Sequence, residues 1–144
     1  MHKPIDILLI EDNDGDVRLI QEALKERKVF NKIYVTRDGE EATLFLKREG
    51  KYQDVPHPDL ILLDLNLPKK DGREVLKEIK EDKNLRRIPV IVLSTSRAEE
   101  DILKTYDLHV NCFISKPVDF NEFLRVIKHI EDFWLCIVHL PGKE

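Results

Sequence analysis

The stretch Leu60-Ile61-Leu62-Leu63-Asp64-Leu65-Asn66-Leu67-Pro68 opens on an apolar run that ends in an acid. Near-continuous apolar runs are the mark of strands buried on both faces, as in parallel sheets. An unpaired carboxylate at the end of such a strand is expensive, so Asp64 asks for a partner. The same design recurs on either side of it. Ile7-Leu8-Leu9-Ile10 runs into Glu11-Asp12, and Val90-Ile91-Val92-Leu93 stops at the hydroxyls of Ser94-Thr95. Asn111-Cys112-Phe113-Ile114-Ser115 stops at Lys116-Pro117. As parallel neighbours, these strands would bring three carboxylates, hydroxyls and one ammonium to one edge of one sheet.

The apolar period alternates between strand and helix along the chain. Strands are predicted over Ile5–Ile10, Lys32–Thr36, Asp59–Leu63, Pro89–Leu93 and Asn111–Ser115. Helices are predicted over Asp14–Arg27, Asp38–Arg48, Gly72–Asp82, Arg97–Tyr106 and Asp119–Val138. Asp38 with Glu41, Ser96 with Glu99 and Asp119 with Glu122 have capping-box spacing, and Asn13 or Asp14 is an N-cap. Apolar faces are carried by Val17, Ile20 and Leu24 in the first helix and by Ile102, Leu103 and Tyr106 in the fourth. Strict strand–helix alternation implies right-handed βαβ units and a parallel α/β sheet covered on both faces. The strand containing Tyr34 alternates more than the others, which marks an edge. Gly50–Pro58 reads as an irregular surface loop. Ligands of such folds sit beyond the carboxyl ends of the strands, where the strand order switches.

At 144 residues the chain suits one domain, 1–144, with a core over 5–118 and a long last helix over 119–138. A net charge of −4 argues against nucleic acid or an anionic membrane as partner. No stretch resembles a signal peptide or a membrane span. Cys112 and Cys136 lie in apolar segments and read as buried, reduced thiols, which implies a cytoplasmic setting. His2, His57, His109, His129 and His139 show no metal-ligand spacing, and Lys69-Lys70 reads as a solvated loop.

Charge decides what the strand-end crevice needs. Glu11, Asp12 and Asp64 carry three negative charges against the one positive charge of Lys116. Repulsion should push at least one carboxyl pKa upward, and one divalent cation would bring the sum to zero. Oxygen-only ligands favour Mg²⁺ over Zn²⁺, Cu²⁺ or Fe²⁺. An Asp beside such a metal can attack a phosphoryl group to give an acyl phosphate. Lys116 would counter charge on the phosphoryl oxygens, and Ser94 would donate to one of them.

These residues resemble the receiver domain of two-component response regulators over nearly the whole chain. The motif-bearing residues are Glu11-Asp12, Asp64 to Pro68 with Asp71-Gly72, Ser94, Phe113 and Lys116-Pro117. The resemblance implies a flavodoxin-like (βα)5 doubly wound fold with strand order 2-1-3-4-5. It implies that Asp64 accepts phosphate, that Asp12 ligates Mg²⁺, that Glu11 acts through metal-bound water and that Asn66 ligates through its carbonyl. Ser94 and Phe113 would form the switch, Thr95 would add bulk where the family often has alanine, and Lys116–Pro117 would be cis. Glu11 to Val17, Tyr106 to Cys112 and Phe133-Trp134 further resemble the single-domain regulators paired with phytochrome-type histidine kinases. The function implied is a stand-alone switch, phosphorylated by a sensor histidine kinase and acting on no other substrate.

Two other functions fit the residues less well. A Mg²⁺-dependent phosphatase with an aspartyl nucleophile would want a second Asp where Asn66 stands. A receiver-like module that is never phosphorylated would have lost one of Asp12, Asp64 or Lys116. Too little chain follows Lys116 for a DNA-binding domain. The last helix would be about 30 Å long and ends in Phe133, Trp134, Leu135, Ile137, Val138 and Leu140, which should overshoot the sheet. A homodimer through that helix is the simplest cover, the alternative being that the tail folds back on its own domain.

Overall fold

Strand and helix alternate from end to end in the computed structural model, which describes residues 5–25, 27, 30–105, 110 and 112–138. Side chains at 30, 31, 104, 105 and 133–138 lie outside that description. The strands are β1 (Ile5–Ile10), β2 (Phe30–Thr36), β3 (Leu60–Asp64), β4 (Val90–Ser94) and β5 (Cys112–Ser115). The helices are α1 (Asp14–Leu24), α2 (Gly39–Lys47), α3 (Gly72–Glu81), α4 (Arg97–Thr105) and α5 (Phe120–Val138). All strand pairs are parallel and the order is β2-β1-β3-β4-β5. The strand with Tyr34 is indeed an edge.

Successive strand residues point to opposite faces, and the core divides accordingly. Ile7, Leu9, Leu62, Ile91 and Leu93 pack with Ile20 of α1 and with Phe123 and Ile127 of α5. Leu8, Ile10, Ile61, Leu63, Val90 and Val92 pack with Phe45 of α2, Leu76 and Ile79 of α3 and Leu103 of α4. Each such wholly buried aliphatic side chain contributes roughly 1.5–3 kcal/mol. β1, β3 and β4, the three inner strands, therefore form a fixed platform, and their ends hold the polar residues.

Several expectations need correction. β3 and β4 sit one residue later than predicted, so Asp64 and Ser94 are the last residues of their strands rather than the first beyond them. α1 closes at Leu24, short of Arg27, whose amide makes a tighter turn onto the Leu24 carbonyl at 3.1 Å. Arg27 instead reaches α5, where its guanidinium donates to Glu131 at 2.8 Å. The loop after α2 contains a single 3₁₀ turn, Gly50–Tyr52. Ile102 is exposed (44%) while Leu103 is buried, so the apolar stripe of α4 is narrower than its sequence suggests. Tyr106, Asn111 and Leu140 fall outside the described residues, as do the side chains of Phe133 to Val138 on which the dimer expectation rests.

Capping follows the predicted spacing only on the helix side of each pair. Glu41, Glu99 and Glu122 donate their amides to Asp38, Ser96 and Asp119 at 2.7, 3.3 and 2.9 Å. The glutamate carboxylates do not complete the box at the first two helices. Glu41 accepts from the Tyr52 hydroxyl at 2.6 Å, and Glu99 turns to Thr95. Asn13, not Asp14, caps α1 by accepting from the Asp16 amide at 2.9 Å.

Candidate functional site at the strand ends

Parallel register brings the predicted groups together. Asp64 pairs with Leu93, and Ser94 with Ser115, so the ends of β1, β3, β4 and β5 meet at one edge. Glu11 follows β1 directly and is held there by its amide, which donates to the Thr36 carbonyl at 3.0 Å. Its side chain is fully buried, as is that of Asp64, while Asp12 faces solvent. One carboxylate oxygen from each of the three lies within 4.8 Å of the others.

Lys116 joins this cluster from the end of β5. Its Nζ donates to both Glu11 oxygens and to Asp64 Oδ2, each at 3.1 Å. It also pairs with Asp16 Oδ2 at 3.3 Å. Asp64 Oδ1 accepts from the Asn66 amide at 3.1 Å, which fixes the carboxylate plane. Burial raises the Glu11 carboxyl to about 7, helped by its contact with Asp64 and the negative charge there, and opposed by Lys116. Burial works to lower the Lys116 pKa, but Glu11 and Asp64 outweigh it and push it upward. The predicted upward shift thus falls on Glu11.

Would a divalent cation fit? The donors are all oxygen, two of them dry and one open to water. Three carboxylates beside one ammonium leave negative charge uncompensated. Mg²⁺ keeps several waters and takes few carboxylates, so the open side at Asp12 suits it. Zn²⁺ would want nitrogen or sulfur ligands, and among the described residues no His or Cys belongs to the cluster.

The loop after β3 is set by close backbone packing. A Cβ at Gly72 would sit 2.3 Å from the Asp64 carbonyl oxygen, so only glycine lets α3 start this close. The Gly72 amide donates to the Leu65 carbonyl at 3.0 Å. On the other side of the loop, a Cβ at Gly39 would lie 2.0 Å from the Lys70 carbonyl oxygen. Lys69-Lys70 is more than a solvated loop. Lys70 donates to Thr43 at 2.9 Å and pairs with Glu78, and Lys69 lies 3.7 Å from Asp38. These contacts tie the loop carrying Asn66 to α2 and α3.

The β4 side is built from hydroxyls and acids. Ser94 is buried and donates to Glu100 Oε2 at 3.2 Å, so its hydroxyl is engaged by α4 rather than by Asp64. Thr95 donates both its amide (2.8 Å) and its hydroxyl (2.9 Å) to Glu99 Oε1. Arg73 of α3 donates to Glu99 Oε2 at 2.8 Å and also pairs with Asp71. The Asn66 amide group donates to the Thr95 hydroxyl at 3.4 Å. Burial works to raise the Glu99 carboxyl, but Thr95, Asn66 and Arg73 together bring it below its ordinary value.

Phe113 is half-buried, packed against the cluster on the α2–α4 side of the sheet. Lys116–Pro117 is cis. Cys112 is a free thiol, only half-buried, and burial pushes its pKa upward; the Cys136 side chain lies outside the described residues. Asp16, Gly39, Arg73, Glu99 and Glu100 were not singled out as site residues from sequence. Asp16 carried a signal, since the acid-rich run from Glu11 to Asp16 leads straight into α1.

With this geometry in view, comparison with known proteins defines the class. The family model for the response regulator receiver domain matches residues 7–128. The chain belongs to that family, the receivers of two-component signalling. Response regulator Rcp1 from Synechocystis sp. is 50% identical over 136 residues, covering 94% of this chain and 92% of that protein. The probable methanogenesis regulatory protein FilR2 from Methanothrix harundinacea is 40% identical over 140 residues, covering 96% of this chain and 89% of that one. Among solved structures, that of the phosphorylated cyanobacterial phytochrome response regulator RcpA superposes with a TM-score of 0.81 at 54% identity. It covers 97% of this chain and 100% of that one. The Mn²⁺-bound form of Rcp1 superposes at 0.80 with 50% identity, over 96% and 100% of the two chains.

Proposed function

We propose that this protein is a stand-alone response regulator that takes a phosphoryl group from a histidine kinase onto Asp64, aided by Mg²⁺. The observation that carries this reading is the meeting of Glu11, Asp12 and Asp64 within 4.8 Å, beside the Lys116 ammonium. In the transfer, the P–N bond of a kinase phosphohistidine breaks as a P–O bond forms to an Asp64 carboxylate oxygen. The Asn66 amide holds the carboxylate in place, which replaces orientational freedom with a fixed approach. Lys116 offers donors to the phosphoryl oxygens and stays charged because its acidic neighbours hold its proton. Glu11, Asp12, Asp64 and the Asn66 carbonyl would hold the metal, which when bound supplies positive charge to the phosphoryl oxygens. The protein transforms nothing but its own aspartyl phosphate.

The test is incubation of the chain with Mg²⁺ and a small phosphodonor, followed by mapping of a hydroxylamine-sensitive adduct by mass spectrometry. The adduct is expected on Asp64 and nowhere else, and lost in Asp64→Asn. Normal stoichiometry in that variant would reject the assignment.

The kinase is read as phytochrome-type, supported by the similarity to RcpA and to the bacteriophytochrome response regulator RtBRR, 41% identical with a TM-score of 0.79. Faster transfer from such a kinase than from an unrelated one is the expected result. A stand-alone role is supported by coverage of 92% of Rcp1 and 100% of RcpA, and a cytoplasmic setting by the free Cys112 thiol. Among the described residues no helix is long and apolar enough to cross a membrane. A homodimer through α5 is supported by the helix running on to Val138 through an apolar sequence and by exposed Phe120 at its start. Sedimentation should show a dimer at tens of micromolar that is lost on truncation after Glu131. A dimer that survives the truncation would reject this interface.

A further inference from the structure

A serine hydroxyl has one proton to donate. Ser94, itself buried, gives its proton to Glu100 Oε2 at 3.2 Å. Glu100 sits in the first turn of α4, beside Glu99, which takes both donors of Thr95. Two consecutive acids of α4 therefore grip two consecutive residues at the end of β4. The Glu99 grip is braced from α3 by Arg73. Among the described residues, no guanidinium braces the Glu100 grip.

We infer that Glu100 is a positioning residue that withholds the Ser94 hydroxyl from the phosphoryl site and sets how readily the switch closes. This rests on Asp64 being the phosphoacceptor. A phosphoryl oxygen on Asp64 and the Glu100 carboxylate compete for the same proton, so closure carries the cost of breaking the Ser94–Glu100 bond. Phosphoryl affinity is lowered by whatever fraction of molecules keeps that bond. The same exchange frees Glu100, and with it the grip of α4 on Ser94. The bond is thus both the restraint on the hydroxyl and the means by which its departure is felt at α4. Coupling of this kind is reciprocal, so anything that draws Glu100 away from Ser94 strengthens phosphoryl binding.

Beryllofluoride with Mg²⁺, titrated into the full chain by calorimetry, tests this without phosphoryl turnover. Glu100→Ala should bind the probe about 3- to 10-fold tighter than the native chain, the size of one hydrogen bond to a charged acceptor partly replaced by water. Glu100→Gln should gain less, because its amide oxygen still accepts the Ser94 proton. It also serves if the alanine variant folds poorly. Removing a negative charge would strengthen anion binding in any background, so the cycle with Ser94→Ala decides. With Ser94→Ala present, Glu100→Ala should gain clearly less than in the native background, keeping only the part due to the lost charge. An equal gain in both backgrounds, or no gain in either, overturns the inference. Failure of the native chain to bind beryllofluoride would instead overturn the reading of Asp64. Amide exchange over 97–100 gives a second readout. It should rise in the native chain on beryllofluoride binding, and already be raised in free Glu100→Ala; protection equal to that of the free native chain would count against the grip.

Discussion

On one side of the site the Lys116 ammonium lies between Glu11, Asp64 and Asp16, at 3.1 to 3.3 Å from each. On the other side, Ser94 and Thr95 give hydroxyl protons to Glu100 and Glu99 of α4. The first half has more negative charge than its one cation offsets, so it suits a divalent metal, and metal and ammonium together would then favour a phosphoryl group. The second half is made of neutral donors already engaged by acids of a helix, so it responds only by exchanging partners. Capture is a matter of net charge and response a matter of competing hydrogen bonds. Separate substitutions should therefore impair the two functions separately.

The sharpest break between the halves is expected in metal affinity. Asp12→Ala should weaken Mg²⁺ binding by more than about 100-fold and Glu11→Gln by about 10-fold, since residues acting through the outer shell typically matter at 10- to 100-fold. Thr95→Val, on the opposite half, should leave it unchanged. Calorimetry settles the division of roles, and equal losses at Asp12 and Glu11 would contradict it.

Between pH 4.5 and 7, pH should act on the acidic half. The folded pKa of Glu11, about 7, lies above its ordinary value of 4.5, so the folded protein binds this proton more tightly than the unfolded one. Its contribution to metal-free stability is complete below pH 4.5 and is lost as pH rises to 7. Metal binding has the opposite sign, because Mg²⁺ competes with that proton and gains as pH rises. Urea unfolding at several pH values, with and without Mg²⁺, should show the metal-free trend flattened in Glu11→Gln. A metal-free stability that rises through this window because of Glu11 would contradict the assignment.

The smallest effect belongs to the other half. Thr95→Val removes the hydroxyl bond to Glu99 while the Thr95 amide and Arg73 still hold that carboxylate. A loss of about 1 kcal/mol in urea unfolding is expected, with the Asp64 adduct intact.

The sequence reveals the two halves unequally, for a physical reason. Glu11, Asp12, Asp64, Ser94 and Lys116 terminate apolar strands, and parallel pairing must gather strand ends at one edge. The strand order and the metal roles came from family resemblance rather than from periodicity. The partners of the β4 side depend on how α3 and α4 are rotated and tilted. A helical period fixes an apolar face but not the neighbours of an individual side chain. The Ser96–Glu99 spacing located the start of α4 correctly, yet the Glu99 carboxylate left its expected place for Thr95 and Arg73. Gly39 and Lys70 were equally hidden, since their contact joins α2 to a loop about 30 residues away, and nothing local in either segment announces it.

Lys116 has a mechanical consequence. It stands at the end of β5, an outer strand of four residues whose Cys112 and Phe113 are only half-buried. Its ammonium nevertheless reaches Glu11 after β1 and Asp16 on α1, spanning the ends of β4 and β3. The side chain works as a strut between a lightly anchored edge and the centre of the sheet. A phosphoryl group on Asp64, as proposed, would draw that ammonium toward it and change the load on the strut. The outer strand can then register chemistry at β3 while the wholly buried strands between remain still.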